Sequence, residues 1–131
     1  MKKVLLLIVF FGVGFYSCNK SAKSDAKLLS PAELQLLMQQ EGVQLIDLRT
    51  PKEFQSGFIE NAQNIDFLSP TFEQELLKLD KNKPLILYCR SGRRSAKSYK
   101  KWFQAGFTEI YDLEGGIVKW RNGGFLIKNT P

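Results

Sequence analysis

Apolar and polar positions change period several times along the chain, and each change marks an element. Ser30-Pro31-Ala32-Glu33 has capping-box spacing with proline at the first helical position, and Leu34, Leu37 and Met38 then share one face until Gly42, which predicts a helix. Val43-Gln44-Leu45-Ile46-Asp47-Leu48 is β-rich and ends at Arg49-Thr50-Pro51; one short helical turn follows over Lys52 to Ser56, before Gly57. Ala62-Gln63-Asn64-Ile65 stands where a third strand belongs. Phe72, Leu76 and Leu79 return to helical spacing, and Asp80-Lys81-Asn82-Lys83 is a turn.

Leu85-Ile86-Leu87-Tyr88 is apolar without alternation, as expected of a strand covered on both faces. A helical pattern opens at Ser95, carries the stripe Tyr99, Trp102 and Phe103, and stops at Gly106; the stripe reads as core. Glu109 to Leu113 is a last strand, and Gly115-Gly116 opens a short helix through Trp120 that Asn122-Gly123-Gly124 ends. Strands alternate with helical segments throughout, which predicts an α/β domain with a mainly parallel sheet. Residues 28–131 suffice for one domain with a single core and are too few for two.

The amino-terminal stretch follows other rules. Lys2-Lys3, the thirteen apolar-rich residues from Val4 to Tyr16 and the small Ser17 predict a secretory signal over residues 1–17. As a helix that stretch would span about 20 Å, short of the roughly 30 Å of a bilayer core, so it reads as a cleaved signal rather than an anchor. Ser17-Cys18 resembles a bacterial lipobox, although Phe15 and Tyr16 stand where an aliphatic and a small residue are usual. The expectation is a lipoprotein tethered to a membrane through Cys18 and facing the periplasm or the cell surface; ordinary signal cleavage and a soluble periplasmic protein is the alternative. Residues 18–27, polar after Cys18 and without an apolar face, read as the lipidated cysteine and a flexible tether.

The chain carries 19 Lys+Arg against 13 Asp+Glu, a net charge of +6. Without Lys2 and Lys3 the balance is a mildly basic +4, clustered around Cys89 and at Lys97, Lys100 and Lys101. No nucleic-acid-binding motif accompanies these charges, so a small anion is the simpler partner. The absence of histidine excludes a Cys-His or Ser-His-Asp pair and the common His-bearing zinc sites, and neither a metal nor a cofactor is expected.

If Cys18 is lipidated, Cys89 is the only thiol left, and an unpaired cysteine in an exported protein points to a reactive role. Cys89-Arg90-Ser91-Gly92-Arg93-Arg94 lies between the apolar strand and the following helix, where unpaired amides and the positive end of the helix dipole favour a thiolate. Three arginines add permanent charge, and Gly92 lets the amides curl into an anion-binding nest. The reading is a nucleophilic, partly exposed thiolate in an anion cradle.

With these pieces in order, the chain from about Leu28 to Ile127 resembles a single rhodanese domain. The resemblance rests on Ile46-Asp47-Leu48-Arg49 with Pro51-Lys52-Glu53-Phe54, on Gly57-Phe58-Ile59 followed by Asn61-Ala62-Gln63-Asn64-Ile65, on Cys89 through Ser95, and on Leu113-Glu114-Gly115-Gly116 with Trp120. Phe58 departs from the family's usual histidine and reads as packing. The resemblance implies a five-stranded parallel sheet flanked by helices, with the cysteine loop at the carboxyl end of the central strand. It also implies sulfur transfer: Cys89 takes a sulfane sulfur from an anionic donor such as thiosulfate and passes it, as a persulfide, to a thiol or cyanide. The amides from Arg90 to Ser95 (Arg90, Ser91, Gly92, Arg93, Arg94 and Ser95) would hold the persulfide, while the three arginines orient the donor and Arg94 takes the family's loop-closing position. Asp47 and Arg49 match a pair near the loop base and read as an ion pair tying strand to loop. Two rivals remain: a non-enzymatic persulfide carrier, and a cysteine phosphatase, whose arginine stands six positions after the cysteine where this chain has Ser95.

Overall fold

The structure, a computed structural model, describes residues 25–130; the expected signal segment, Cys18 and most of the tether lie outside the described residues. Five strands, β1 (Lys27–Leu29), β2 (Gln44–Asp47), β3 (Gln63–Asn64), β4 (Leu85–Tyr88) and β5 (Ile110–Leu113), form one parallel sheet in the order β1-β5-β4-β2-β3. The helices are α1 (Pro31–Leu37), α2 (Pro51–Gln55), α3 (Phe72–Leu76), α4 (Arg93–Gln104) and α5 (Gly116–Asn122).

β4, at the centre, is buried at every residue because helices cover both of its faces. Its pleat sends Leu85, Leu87 and Cys89 into one cluster with Phe72 and Leu76 of α3 and Trp102 of α4. Ile86 and Tyr88 point the other way, into a cluster with Leu34 of α1 and Ile117 and Trp120 of α5. Trp102 is the hub of the first cluster, packing edge-on against both Phe72 and Phe107, so the aromatic stripe is core. The chain runs outward from β2 to β3 and resumes on the other side of β2 at β4. Open α/β sheets bind ligands outside the carboxyl ends of strands at such a reversal.

The expected elements form, although α1 ends at Leu37 rather than at Gly42 and α3 ends before Leu79; three further differences bear on the site. α4 opens at Arg93 rather than Ser95, because Gly92, in the left-handed region at φ 101°, completes the turn and lets both arginines enter the helix. β1 was not expected, and it begins at Lys27, inside the stretch read as tether; two of its three residues are exposed, so it has no apolar signature, and pairing with β5 defines it. The turn after β2 is a capped helix: Thr50 and Glu53 form a second capping box ahead of Pro51, like the one Ser30 and Glu33 form on α1.

Candidate active site

Cys89 follows the last residue of β4, and three residues later Gly92 precedes the first residue of α4. The Gly92 N–H donates to the Cys89 Sγ at 3.1 Å, and the Ser95 hydroxyl lies 3.5 Å from the same sulfur. No side chain caps α4: Ser95 Oγ donates instead to the Gly92 carbonyl at 3.1 Å. The uncapped first turn of a twelve-residue helix therefore stands beside the sulfur with its amides and its dipole.

Two contacts fix the loop from opposite sides. On the α2 side, the Arg94 fork donates to both Glu53 carboxylate oxygens at 2.7 and 2.8 Å, while Glu53 also accepts from the Thr50 N–H and Oγ1, each at 2.9 Å. The Arg94 hydrogen bonds hold the Glu53 pKa at about 2. On the α5 side, the Ile117 and Val118 N–H groups donate to the Cys89 and Arg90 carbonyls at 3.0 and 3.1 Å. In a trans peptide the N–H points opposite the C=O. Turning these carbonyls to α5 therefore aims the Arg90 and Ser91 amides at the side of the sheet where the Cys89 side chain lies. Gly116 makes this approach possible: a Cβ there would stand 2.4 Å from the Arg90 carbonyl oxygen.

The sequence-predicted residues fall into three groups. Cys89, Gly92 and Ser95 meet at the sulfur. Arg90 and Ser91 on the loop and Arg93 at the start of α4 are exposed, and neither of these arginines is in an ion pair among the described residues. Arg94, expected both to close the loop and to orient a donor, has its fork on Glu53. Asp47 and Arg49 form a buried pair, with Nη2 to Oδ2 at 2.6 Å and exposures of 0% and 3%. Arg49 also donates to the Gly57 carbonyl at 2.7 Å and lies 5.8 Å over the Tyr88 ring, while Asn64 ties down both backbone carbonyls of the pair. This cluster braces the ends of β2, β3 and β4 as a structural ion pair. Phe58 stacks on Phe54 with ring centroids 4.3 Å apart, which is packing.

Cys89 departs from the expectation of partial exposure: its loop folds over it and leaves it 1% exposed. Two contributors escaped the sequence reading. Glu53 stands in the sequence reading only as part of Pro51-Lys52-Glu53-Phe54, although Thr50-Pro51-Lys52-Glu53 repeats the capping spacing of Ser30 to Glu33 and places it. The α5 amides carry no sequence signal, because any non-proline residue supplies an N–H.

A parallel α/β domain with a cysteine nested at the carboxyl end of its central strand defines the class. The Rhodanese-like domain family model matches residues 30–123, and the chain belongs to that family. It is 31% identical over 120 residues to the Bacillus subtilis protein YqhL, covering 92% of this chain and 94% of that one. It is 34% identical over 94 residues to a sulfurtransferase of Allochromatium vinosum, with 71% and 85% covered. The solution structure of the polysulfide-sulfur transferase homodimer from Wolinella succinogenes superposes with a TM-score of 0.67 at 32% identity, covering 85% of this chain and 84% of that one. Other curated relatives are longer, and the chain spans 58% and 32% of two of them.

Proposed function

We propose that this protein is a sulfurtransferase that works through a persulfide on Cys89. The Cys89 thiolate attacks the sulfane sulfur of a donor such as thiosulfate; the donor S–S bond breaks, sulfite leaves with the electron pair, and a Cys89 persulfide remains. A thiol or cyanide then attacks the outer sulfur and releases the Cys89 thiolate. Electrons balance within the two sulfur exchanges, so no cofactor or metal enters. Arg90 and Arg93, exposed and free of carboxylate partners among the described residues, draw in the anionic donor. Sulfurtransferase and polysulfide-sulfur transferase relatives support this reading.

The observation that carries it is the Gly92 N–H on the sulfur beside an uncapped helix, in a loop whose arginine stands five positions after the cysteine. Phosphatase chemistry is disfavoured because Arg94, the arginine nearest the required spacing, is held by Glu53. Intact-mass spectrometry after thiosulfate, followed by cyanide turnover, tests the proposal. Wild type gains one sulfur and turns over, and Cys89→Ser does neither while remaining folded. Turnover by Cys89→Ser refutes the assignment; a persulfide loaded only by a partner protein selects the carrier reading, and faster hydrolysis of an aryl phosphate selects the phosphatase.

The amino-terminal pattern of Lys2-Lys3, Val4 to Tyr16 and Ser17-Cys18 supports a second element of this proposal, export and lipid attachment at Cys18. The domain would then act at a membrane surface, on the far end of the tether.

A further inference from the structure

Behind the sulfur loop lies a buried carboxylate that the mechanism above does not use. Asp112 sits on β5 beside Leu87 of β4, is 1% exposed, and accepts a hydrogen bond from the Tyr99 hydroxyl at Oδ2. Its other oxygen, Oδ1, is a buried atom without a hydrogen-bond partner among the described residues. A carboxylate oxygen so placed demands a donor. Ser95 stands one helical turn before Tyr99 on the same face of α4, and its hydroxyl, which pulls the carboxyl's pKa down, directs its proton to the Gly92 carbonyl and lies 3.5 Å from the Cys89 sulfur.

One hydroxyl has one proton to give. We propose that Asp112 is a positioning residue for the Cys89 sulfur, deciding through the Ser95 proton whether that hydroxyl donates to the carboxylate or to the sulfur. With Asp112 protonated, its O–H donates to Ser95 Oγ, and Ser95 donates to the sulfur and steadies the thiolate or persulfide. With Asp112 ionised, Oδ1 accepts the Ser95 proton, and the sulfur loses a donor while facing a second negative charge.

Burial pushes the Asp112 pKa up to about 6, against the lowering pull of Tyr99 and Ser95, so the switch lies in an accessible pH range. The groups that face it are Tyr99 and Ser95 of α4, Cys89 of the loop, and Asp25 and Glu114, which line the same cavity of about 460 Å³ between β1, β5 and α4. Glu114 is neutralised by Lys119 at 2.7 Å. Ser91 and Gly92 also line that cavity, so it runs from the loop to the carboxyl.

The inference rests on Cys89 acting as a thiolate but not on sulfur transfer, and alkylation by iodoacetamide needs no sulfur donor. Its rate at Cys89 in the full chain, read on the Cys89 peptide by mass spectrometry across pH 4 to 8, is the test. Wild type should show a second inflection near pH 6. Asp112→Asn, whose amide donates permanently to Ser95, should lack that inflection and react about tenfold faster on the rising limb above it, the change of roughly one pH unit that a nearby charge produces. Ser95→Ala, which removes the shared hydroxyl and leaves only the charge of Asp112, should show a smaller step. Tyr99→Phe keeps the ring in place and removes a donor to the carboxylate, so the inflection should move to higher pH.

Superimposable profiles for wild type and Asp112→Asn overturn the proposal, as does an inflection undiminished in Ser95→Ala. Should Asp112→Asn not fold, an inflection unmoved in Tyr99→Phe overturns it. Shifted alkylation in a protein that forms no persulfide would uphold this inference and refute the proposed function alone.

Discussion

Replacing Gly116 by alanine isolates the contact that turns the loop amides toward the sulfur. A Cβ at Gly116 would stand 2.4 and 2.5 Å from the Arg90 carbonyl oxygen and carbon and 2.7 Å from the Cys89 carbonyl oxygen, at a φ of +62°. Two costs add. A non-glycine residue in the left-handed region costs about 1–2 kcal/mol, and overpacking adds roughly 1–3 kcal/mol. The atoms in the way are backbone, so they cannot rotate aside as a side chain would, and the strain moves the loop. Gly124→Ala is the control, because Gly124 has φ +77° and nothing within 4 Å of a Cβ, so it incurs the backbone cost alone. Denaturant unfolding of both variants should show Gly116→Ala about 1–3 kcal/mol less stable than Gly124→Ala. Under conditions where all proteins are folded, Gly116→Ala should transfer sulfur at least about tenfold more slowly than wild type, equivalent to about 1.4 kcal/mol of barrier. Gly124→Ala should match wild type. Equal destabilisation of the two variants, with full activity in Gly116→Ala, would refute the argument that α5 sets the geometry of the sulfur loop.

The Arg94 to Glu53 pair makes stability depend on acid. Its folded pKa, at about 2, lies below the ordinary 4.5, so the pair contributes fully above pH 4.5, and the contribution is lost as pH falls toward 2. The pair is a fifth to a third exposed, which limits its worth to about 1 kcal/mol; unfolding free energies of wild type and Arg94→Ala from urea titrations should differ by that much at pH 7 and converge as pH falls through about 2, and a gap that persists below it contradicts the linkage. For the lipid anchor, wild type made in a lipoprotein-processing bacterium should partition into detergent and Cys18→Ala should not; two aqueous proteins would remove the lipobox reading.

The sequence carried the fold where periodicity was strong and lost it where structure comes from neighbours. β4 and α4 announce themselves through an unbroken apolar run and an aromatic stripe, whereas β1 is a strand only because β5 offers it an edge. At the site, Cys89 was legible because arginine, glycine and serine crowd one turn. Its burial was not legible, since that depends on how the loop folds over the sulfur. Arg94 shows the same limit: three arginines in six residues look alike on paper, and only the 41-residue separation closed by Glu53 distinguishes the one that is bound. Asp112 was hidden in the strand pattern because its partner Tyr99 reads as part of an apolar stripe.

The two clamps on the loop differ in kind, and the difference locates where the covered sulfur opens. The α5 clamp is made of neutral backbone hydrogen bonds, two of them on consecutive carbonyls, and neither salt nor acid competes for them strongly. The α2 clamp is ionic and partly solvated, so an anion that reaches Arg94 competes directly with Glu53. A dianionic donor drawn in by Arg90 and Arg93 would arrive next to that weaker clamp, and displacing Glu53 would hand it a third guanidinium while loosening the cover over Cys89. The Arg94→Ala protein, already released on that side, should therefore alkylate at Cys89 faster than wild type with the neutral reagent iodoacetamide, while losing affinity for thiosulfate. Alkylation no faster than wild type would mean that the loop opens elsewhere, and the α5 clamp, loosened in Gly116→Ala, would be the next place to look.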